Sequence, residues 1–387
     1  MTLITHVILA AVAVGAVALR PRSTPGALLV ASAGGVDLLL GTSAAPALAV
    51  ILPLTAFLGA ALSLATLIER SGLAARAACA LAAAARGSSI VLYVLVCIVC
   101  ALLTGAVSLD GAVVLMIPLL SVLARRVGAP FAPLFLGSVV VANAASIAVP
   151  QGNPTNLVII NRLGLSAPAF LAHMLLPGIA AAAVCAAGVA LSERRALAAR
   201  LRAATRQRTP LSNAERHAAV ALTLAALVAW AAPIIGIAPW WPFSAAVALA
   251  LATRRERPRL VVPWRVAVQV CGLLVATQAL GLTVRASAML GLPRLLAVAA
   301  VIGAASALAN NLPVSVCATG LLSAGAPAYA ASVGLAIGSL ATPQGSVATL
   351  IASQLAGPTA PPLRVRRFAP LAAVGVLAAV LLLWATS

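Results

Sequence analysis

From Ala27 to Ile68 the chain carries a single charged side chain, Asp37. A run of about 18 or more apolar residues reads as a membrane span, because in hydrocarbon every backbone amide must find its partner inside the segment, as a helix allows. Further runs of this kind continue to the C-terminal end. Charged residues make up only 8% of the chain, against about 25% in soluble domains. The fold class expected is therefore an all-α polytopic membrane protein, placed in the cell (plasma) membrane with the lipid bilayer as a partner.

The net charge of +19 does not imply nucleic acid, because all 25 basic residues are Arg and they sit between the apolar runs. Loop charges of membrane proteins are placed in this way. The absence of Lys excludes a Walker-type phosphate loop and Schiff-base chemistry, both of which need that amine. His6, His173 and His217 are too far apart for metal-ligand spacing, so neither a metal nor another cofactor is expected. The six Cys are scattered in apolar runs, and the pair Cys97 and Cys100 reads as small apolar filler within a helix.

Spans are expected near 4–19, 27–43, 49–68, 130–161, 168–191, 217–237, 238–253, 264–283, 327–357 and 368–385, about 10 in all. Two pairs of helices, 88–107 with 111–124 and 295–309 with 312–324, are expected to turn back on themselves. Arg20 and Arg22 follow the first run instead of preceding it, the wrong polarity for a cleaved signal. With the N-terminus outside, 22 of the 25 Arg fall on the inner side, as the positive-inside rule requires, and both termini lie outside. Residues 1–191 then form a first repeat, 192–216 an Arg-rich cytoplasmic linker and 217–387 a second repeat of inverted topology. The linker pattern fits a short amphipathic helix on anionic lipid or a plain topological anchor. Ser212 and Glu215 have capping-box spacing ahead of the next span.

Two spans are broken by the same word, Pro150-Gln151-Gly152 and Pro343-Gln344-Gly345. Proline removes a backbone donor and displaces the carbonyl four residues back, and glycine loosens the turn. The backbone groups this frees are tolerated only against a polar cavity inside the protein. Residues 149–160 align with 342–353 without a gap. Upstream, at 40 and 32 residues from the respective prolines, lie Asp110 in "SLDGAVV" and Asn311 in "ANNLPVS". Two hairpin tips and two broken helices at equivalent places point to one central site. Its candidate residues are Asp110, Gly111, Asn143, Ser146, Gln151, Gly152, Asn153, Thr155, Asn156, Asn310, Asn311, Thr342, Gln344, Gly345, Ser346 and Thr349. Such a lining of amides and hydroxyls suits a small neutral hydrogen-bonding solute or a weakly hydrated ion. Asp110 is the one acid expected at a hairpin tip at membrane depth, which makes it the candidate proton carrier; a cap for a helix starting at Gly111 is compatible with that role.

The words "SLDGAVVLMIPLL", "ANAASIAVPQGNPTNLVI", "ANNLPVS" and "IGSLATPQGSVATLI" resemble the ion transporter superfamily, and most closely its arsenical pump membrane protein branch. Asp110 and Gly111 match the first hairpin word, with Leu109 in place of its Asn; Asn310, Asn311 and Pro313 match the second. The resemblance implies an elevator-type carrier that exports arsenite or antimonite against entry of a coupling proton (or sodium). A homodimer and a soluble ATPase partner belong to the same expectation. The alternative within the superfamily is a sodium- or proton-coupled dicarboxylate-type anion carrier. Against it stand the absence of Arg from the four polar words and the repulsion between Asp110 and a dianion; in its favour, helix N-termini bind anions. A sodium/proton antiporter and a membrane-embedded enzyme are more distant readings.

Overall fold

The computed structural model describes residues 2–19, 23–70, 73–202, 212–231, 235, 237, 240–252, 260, 262, 264–280, 291–343 and 345–386. Arg20, Arg22, Arg285, linker residues 203–211 and the 253–259 loop lie outside these residues, as does Gln344. Among the described residues there are helices and no strand; one isolated bridge joins Ser88 and Arg200.

Three helices open the chain, α1 (Thr2–Leu19), α2 (Thr24–Leu39) and α3 (Ala45–Arg70). A helix missed from sequence follows, α4 (Leu73–Ala84). Its sequence LAARAACALAAA is rich in the strongest helix former and buries Ala78 and Ala82, but its Arg residues made the segment read as loop. The first hairpin is α5 (Ser89–Val127), and the first broken span is α6 (Phe131–Ala145), two short 3-10 turns and α7 (Pro154–Leu163). Then come α8 (Ala167–Ser192) and the one-turn α9 (Arg194–Leu197). The second half holds α10 (Asn213–Ala231), α11 (Trp240–Ala252) and α12 (Trp264–Ala279), then the second hairpin of α13 (Leu292–Ala309) and α14 (Asn311–Leu321). The second broken span is α15 (Ala326–Ile337), a 3-10 turn and α16 (Val347–Ala356), and α17 (Val365–Thr386) ends the chain.

Five helical stretches among the described residues are long and apolar enough to cross a membrane: Ser89–Val127, Phe131–Ala148, Ala167–Ser192, Leu292–Ala309 and Val365–Thr386. Other expected spans are shorter apolar helices, among them Thr24–Leu39 and Ala326–Ala341. The second of these is short because it is one half of a broken span.

That α5 doubles back follows from its ends. A straight helix of its 39 residues would be about 58 Å long. Yet the Leu201 amide donates to the Gly87 carbonyl and the Arg202 amide to that of Val127, both at 2.9 Å. Two adjacent residues reach both ends of the helix only if it folds in the middle. The fold point is at Val107 and Ser108, whose backbone leaves the helical region. The described part of the linker therefore does not lie on lipid as an amphipathic helix. After α9 it runs across the base of the hairpin, with Leu197 and Leu201 buried and the Ser89 hydroxyl donating to the Ala199 carbonyl at 2.6 Å.

The expected capping box is present. The Ser212 amide donates to Glu215 Oε2 at 2.8 Å, and the Glu215 amide to Ser212 Oγ at 3.2 Å. Arg76 adds a two-pronged hydrogen bond to the same carboxylate, at 3.1 Å from Nε and from Nη2, tying α4 to the start of α10. Asp37 is fully buried in α2 and meets His6 Nδ1 of α1 at 2.6 Å.

Two large cores and a smaller cluster between α7, α14 and α15 result, and neither large core follows the sequence halves. One is built from α4, α5, α6 and α8 together with α13, α15, α16 and α17. The other is built from α1, α2, α3, α11 and α12, with side chains such as Val107, Leu157 and Leu312 reaching in from the hairpins and α7.

Candidate functional site

The two broken spans share one backbone. Val149 (φ −135°, ψ 150°) corresponds to Thr342 (−133°, 154°), and Asn153 (−141°, 134°) to Ser346 (−127°, 133°). Each break is closed by glycine for the same steric reason. A Cβ on Gly152 would overlap the Ser146 carbonyl oxygen, and one on Gly345 would overlap that of Ser339. The shared Pro-Gln-Gly word thus encodes a turn in which the chain crosses its own backbone without room for a methyl group.

The hairpin tips correspond as well, but one step away from the register read in the sequence. Ser108 (φ 67°, ψ 167°) and Asn310 (φ 76°, ψ 144°) are both non-glycine residues at positive φ. For Ser108 this is a region populated almost only by glycine. By backbone, Asp110 therefore corresponds to Leu312; the expected turn between 107 and 111 includes Ser108, but serine carries no signature of the positive φ found there. Asp110 is not the cap of a helix starting at Gly111; it lies in the first turn of the arm that begins after Ser108. Because this backbone costs serine energy, Ser108→Gly should raise the thermal stability of the purified protein by about 1 kcal/mol. An unchanged or lowered melting temperature would show instead that the tip holds the hydroxyl.

Side chains lock tips to breaks. Gln151 Nε2 donates to the Gly105 carbonyl of the first hairpin at 2.9 Å. In the other half the tie is made by backbone: the main-chain N–H of Asn311 donates to the Gly345 carbonyl, also at 2.9 Å. Asn156 Nδ2 donates to the carbonyls of Ser146 (2.8 Å) and Val149 (3.1 Å), satisfying groups that the break frees. Asn153 caps α7 by accepting from the Thr155 amide and donates to Ser146 Oγ at 3.2 Å. Asn310 caps α14 through the Leu312 amide. Asn143 donates back along α6 to the Val139 carbonyl at 2.8 Å, and its own carbonyl accepts from the Ser146 hydroxyl at 2.7 Å.

One cavity of about 480 Å³ lies where the two cores meet. Asp110, Asn153, Thr155, Asn311 and Ser346 all line it. The remaining candidates support it from behind: Gly111, Asn143, Ser146, Gln151, Gly152, Asn156, Asn310 and Gly345 are absent from the lining. Thr342 and Thr349 are elsewhere, on a small crevice beside Pro343 and Phe368, where Thr342 Oγ1 donates to the Ala307 carbonyl.

The lining has a common character: it is made of helix beginnings. Asn153, Pro154 and Thr155 open α7; Asn311 and Leu312 open α14; Ser346, Val347 and Ala348 open α16; Trp264 and Arg265 open α12. The second arm of α5 also enters with its first residues, Leu109 and Asp110. Each helix N-terminus carries roughly half a positive charge, although caps already take one amide each at α7 and α14. Thr155 Oγ1 and Ser346 Oγ are buried on this lining with no hydrogen-bond partner among the described residues, and Ser346 makes no cap bond to α16. Arg265 is a lining residue that the sequence reading assigned to a loop. Chemically, the cavity is a convergence of helix N-termini around one carboxyl group.

No curated protein matches the chain. The family model of citrate transporters matches residues 3–334. It names citrate transporters where the hairpin words suggest the arsenical pump branch, and that narrower assignment draws no support from it. With most of its length matched, the chain belongs to the citrate transporter family.

Proposed function

We propose that the chain is a secondary carrier of a small carboxylate anion, citrate being the first to test, and that Asp110 carries the coupling proton. The observation that carries this reading is the convergence of the α7, α12, α14 and α16 N-termini on one cavity. A neutral hydroxylated solute such as arsenite gains little from those dipoles, whereas a carboxylate is attracted by all of them. The match to citrate transporters supports the same choice.

The objection that Asp110 repels an anion becomes the coupling device. A proton on Asp110 removes the repulsion, so protonation and anion binding favour each other by the same factor, as linkage requires. Movement follows from the division of the helices. The hairpins and broken spans shift as a body against α1, α2, α3, α11 and α12, carrying the cavity between the two sides of the membrane. Charge sets the direction to be examined: a dianion moving with one proton carries a net −1. Across roughly 150 mV, about 3.5 kcal/mol opposes its entry into a negative interior and favours its exit.

The test is uptake of labelled citrate into proteoliposomes with the pH gradient and the potential imposed separately, and with sodium present or absent. Citrate flux that responds to the pH gradient is expected. Arsenite flux without citrate flux would overturn the reading and restore metalloid export.

A further inference from the structure

α8 and α17 pack against each other in opposite directions: Ser192 at the end of α8 meets Arg367 at the start of α17, and Cys185 meets Leu371 further in. Both helices are long and apolar enough to cross a membrane, so their shared end stands at a membrane surface. It is the side that the positive-inside rule assigns to the cytoplasm. A crevice of about 410 Å³ opens there, where α8 turns into α9, lined by residues 191–196. Its one acid is already engaged, because Arg367 donates to Glu193 Oε1 and to Ser192 Oγ, each at 2.6 Å. Four further guanidinium groups remain: Arg194 and Arg195 in the crevice, and Arg364 and Arg366 beside Arg367 in the chain. All four side chains are exposed and have no hydrogen bond or ion pair among the described residues. Leu191 and Val365, their neighbours in the chain, are exposed as well.

We infer that this crevice holds the phosphate headgroup of an anionic phospholipid of the inner leaflet. A guanidinium fork matches two phosphate oxygens at once, and each basic residue near an anionic leaflet contributes about fivefold in affinity. A soluble phosphate would meet the same charges. The exposed Leu191 and Val365 beside them, at the end of two spans, suit acyl chains and offer a soluble anion nothing. Fixing the topology requires only charge in a loop; the crevice and the engaged Glu193 add a place for a single headgroup. α8 and α17 both belong to the core that holds the hairpins and the broken spans. The lipid therefore stabilises that body whatever solute the cavity carries.

The experiment follows the melting temperature of the purified full chain in uncharged detergent while phosphatidylglycerol, phosphatidylcholine or soluble glycerol phosphate is added. Two double variants, Arg194→Gln with Arg195→Gln and Arg364→Gln with Arg366→Gln, remove charge at the crevice, and either serves alone if the other is not recovered folded. Arg86→Gln with Arg125→Gln removes the same charge from exposed arginines outside the crevice lining and is the control. Phosphatidylglycerol is expected to raise the melting temperature of the wild type, and the other two additions at the same concentration are not. Each crevice variant should need about tenfold or more phosphatidylglycerol for half of that rise, and the control should stay within about twofold of wild type. An equal rise with phosphatidylcholine, or wild-type behaviour in the crevice variants, overturns the site. An equal loss in the control overturns it in favour of diffuse surface charge, and a rise with glycerol phosphate overturns the lipid in favour of a soluble anion.

Discussion

Asp110→Asn is expected to leave a folded protein whose citrate flux no longer responds to a pH gradient, a loss of about a hundredfold or more in gradient-driven accumulation. The amide has the shape of the acid, and the first turn of the second hairpin arm tolerates it. What it lacks is a proton to exchange. Asparagine imitates the protonated carboxyl, so the variant should bind citrate without needing a proton at this position. Exchange of internal for external citrate needs no gradient and should survive. Undiminished gradient-driven accumulation would remove Asp110 from the coupling step, and loss of exchange as well would place it in substrate binding instead.

The second large effect is steric. Gly152→Ala and Gly345→Ala each place a methyl group on a backbone carbonyl oxygen, of Ser146 and Ser339 respectively. Neither carbonyl can retreat freely: that of Ser146 accepts from Asn156 Nδ2, and the break that holds Ser339 is tied to the second hairpin tip through Gly345. Relief therefore requires the break itself to open, at a cost above about 4 kcal/mol, the exceptional end of single substitutions. The expected result is little or no folded protein on size-exclusion chromatography for either variant. Gly35→Ala, with open space around the added atom, provides the control and should behave as wild type. If either break accepts alanine with normal transport, the tight crossing is not what the Pro-Gln-Gly word encodes.

The parts legible in the sequence are those where polar residues interrupt an apolar background. Pro150-Gln151-Gly152, its second copy and the Asn310-Asn311 tip are conspicuous because lipid forbids unpaired backbone groups, so the chain must mark each break with a residue that tolerates it. The same logic located Asp110. Arg265 was hidden for the opposite reason. In a chain whose loops are full of arginine, one that lines a cavity looks like its neighbours, and only the contact of α12 with α14 of the second hairpin distinguishes it. Ser108 was hidden because its meaning lies in a dihedral angle rather than in a side-chain type. His6 and Asp37 are 31 residues apart, so their pairing depends on how α1 packs on α2. The neutral-solute expectation came from counting side chains and not helix ends: amides and hydroxyls suggest a neutral solute, and the dipoles behind them favour an anion.

Thermal unfolding of the purified, detergent-solubilised protein with citrate or arsenite tests the central claim most directly, because it asks for binding without requiring transport. A ligand that binds only the folded state at a hundred times its Kd adds about 2.7 kcal/mol of stability. The account predicts a concentration-dependent rise in melting temperature with citrate and none with arsenite. A rise with arsenite and none with citrate would contradict it.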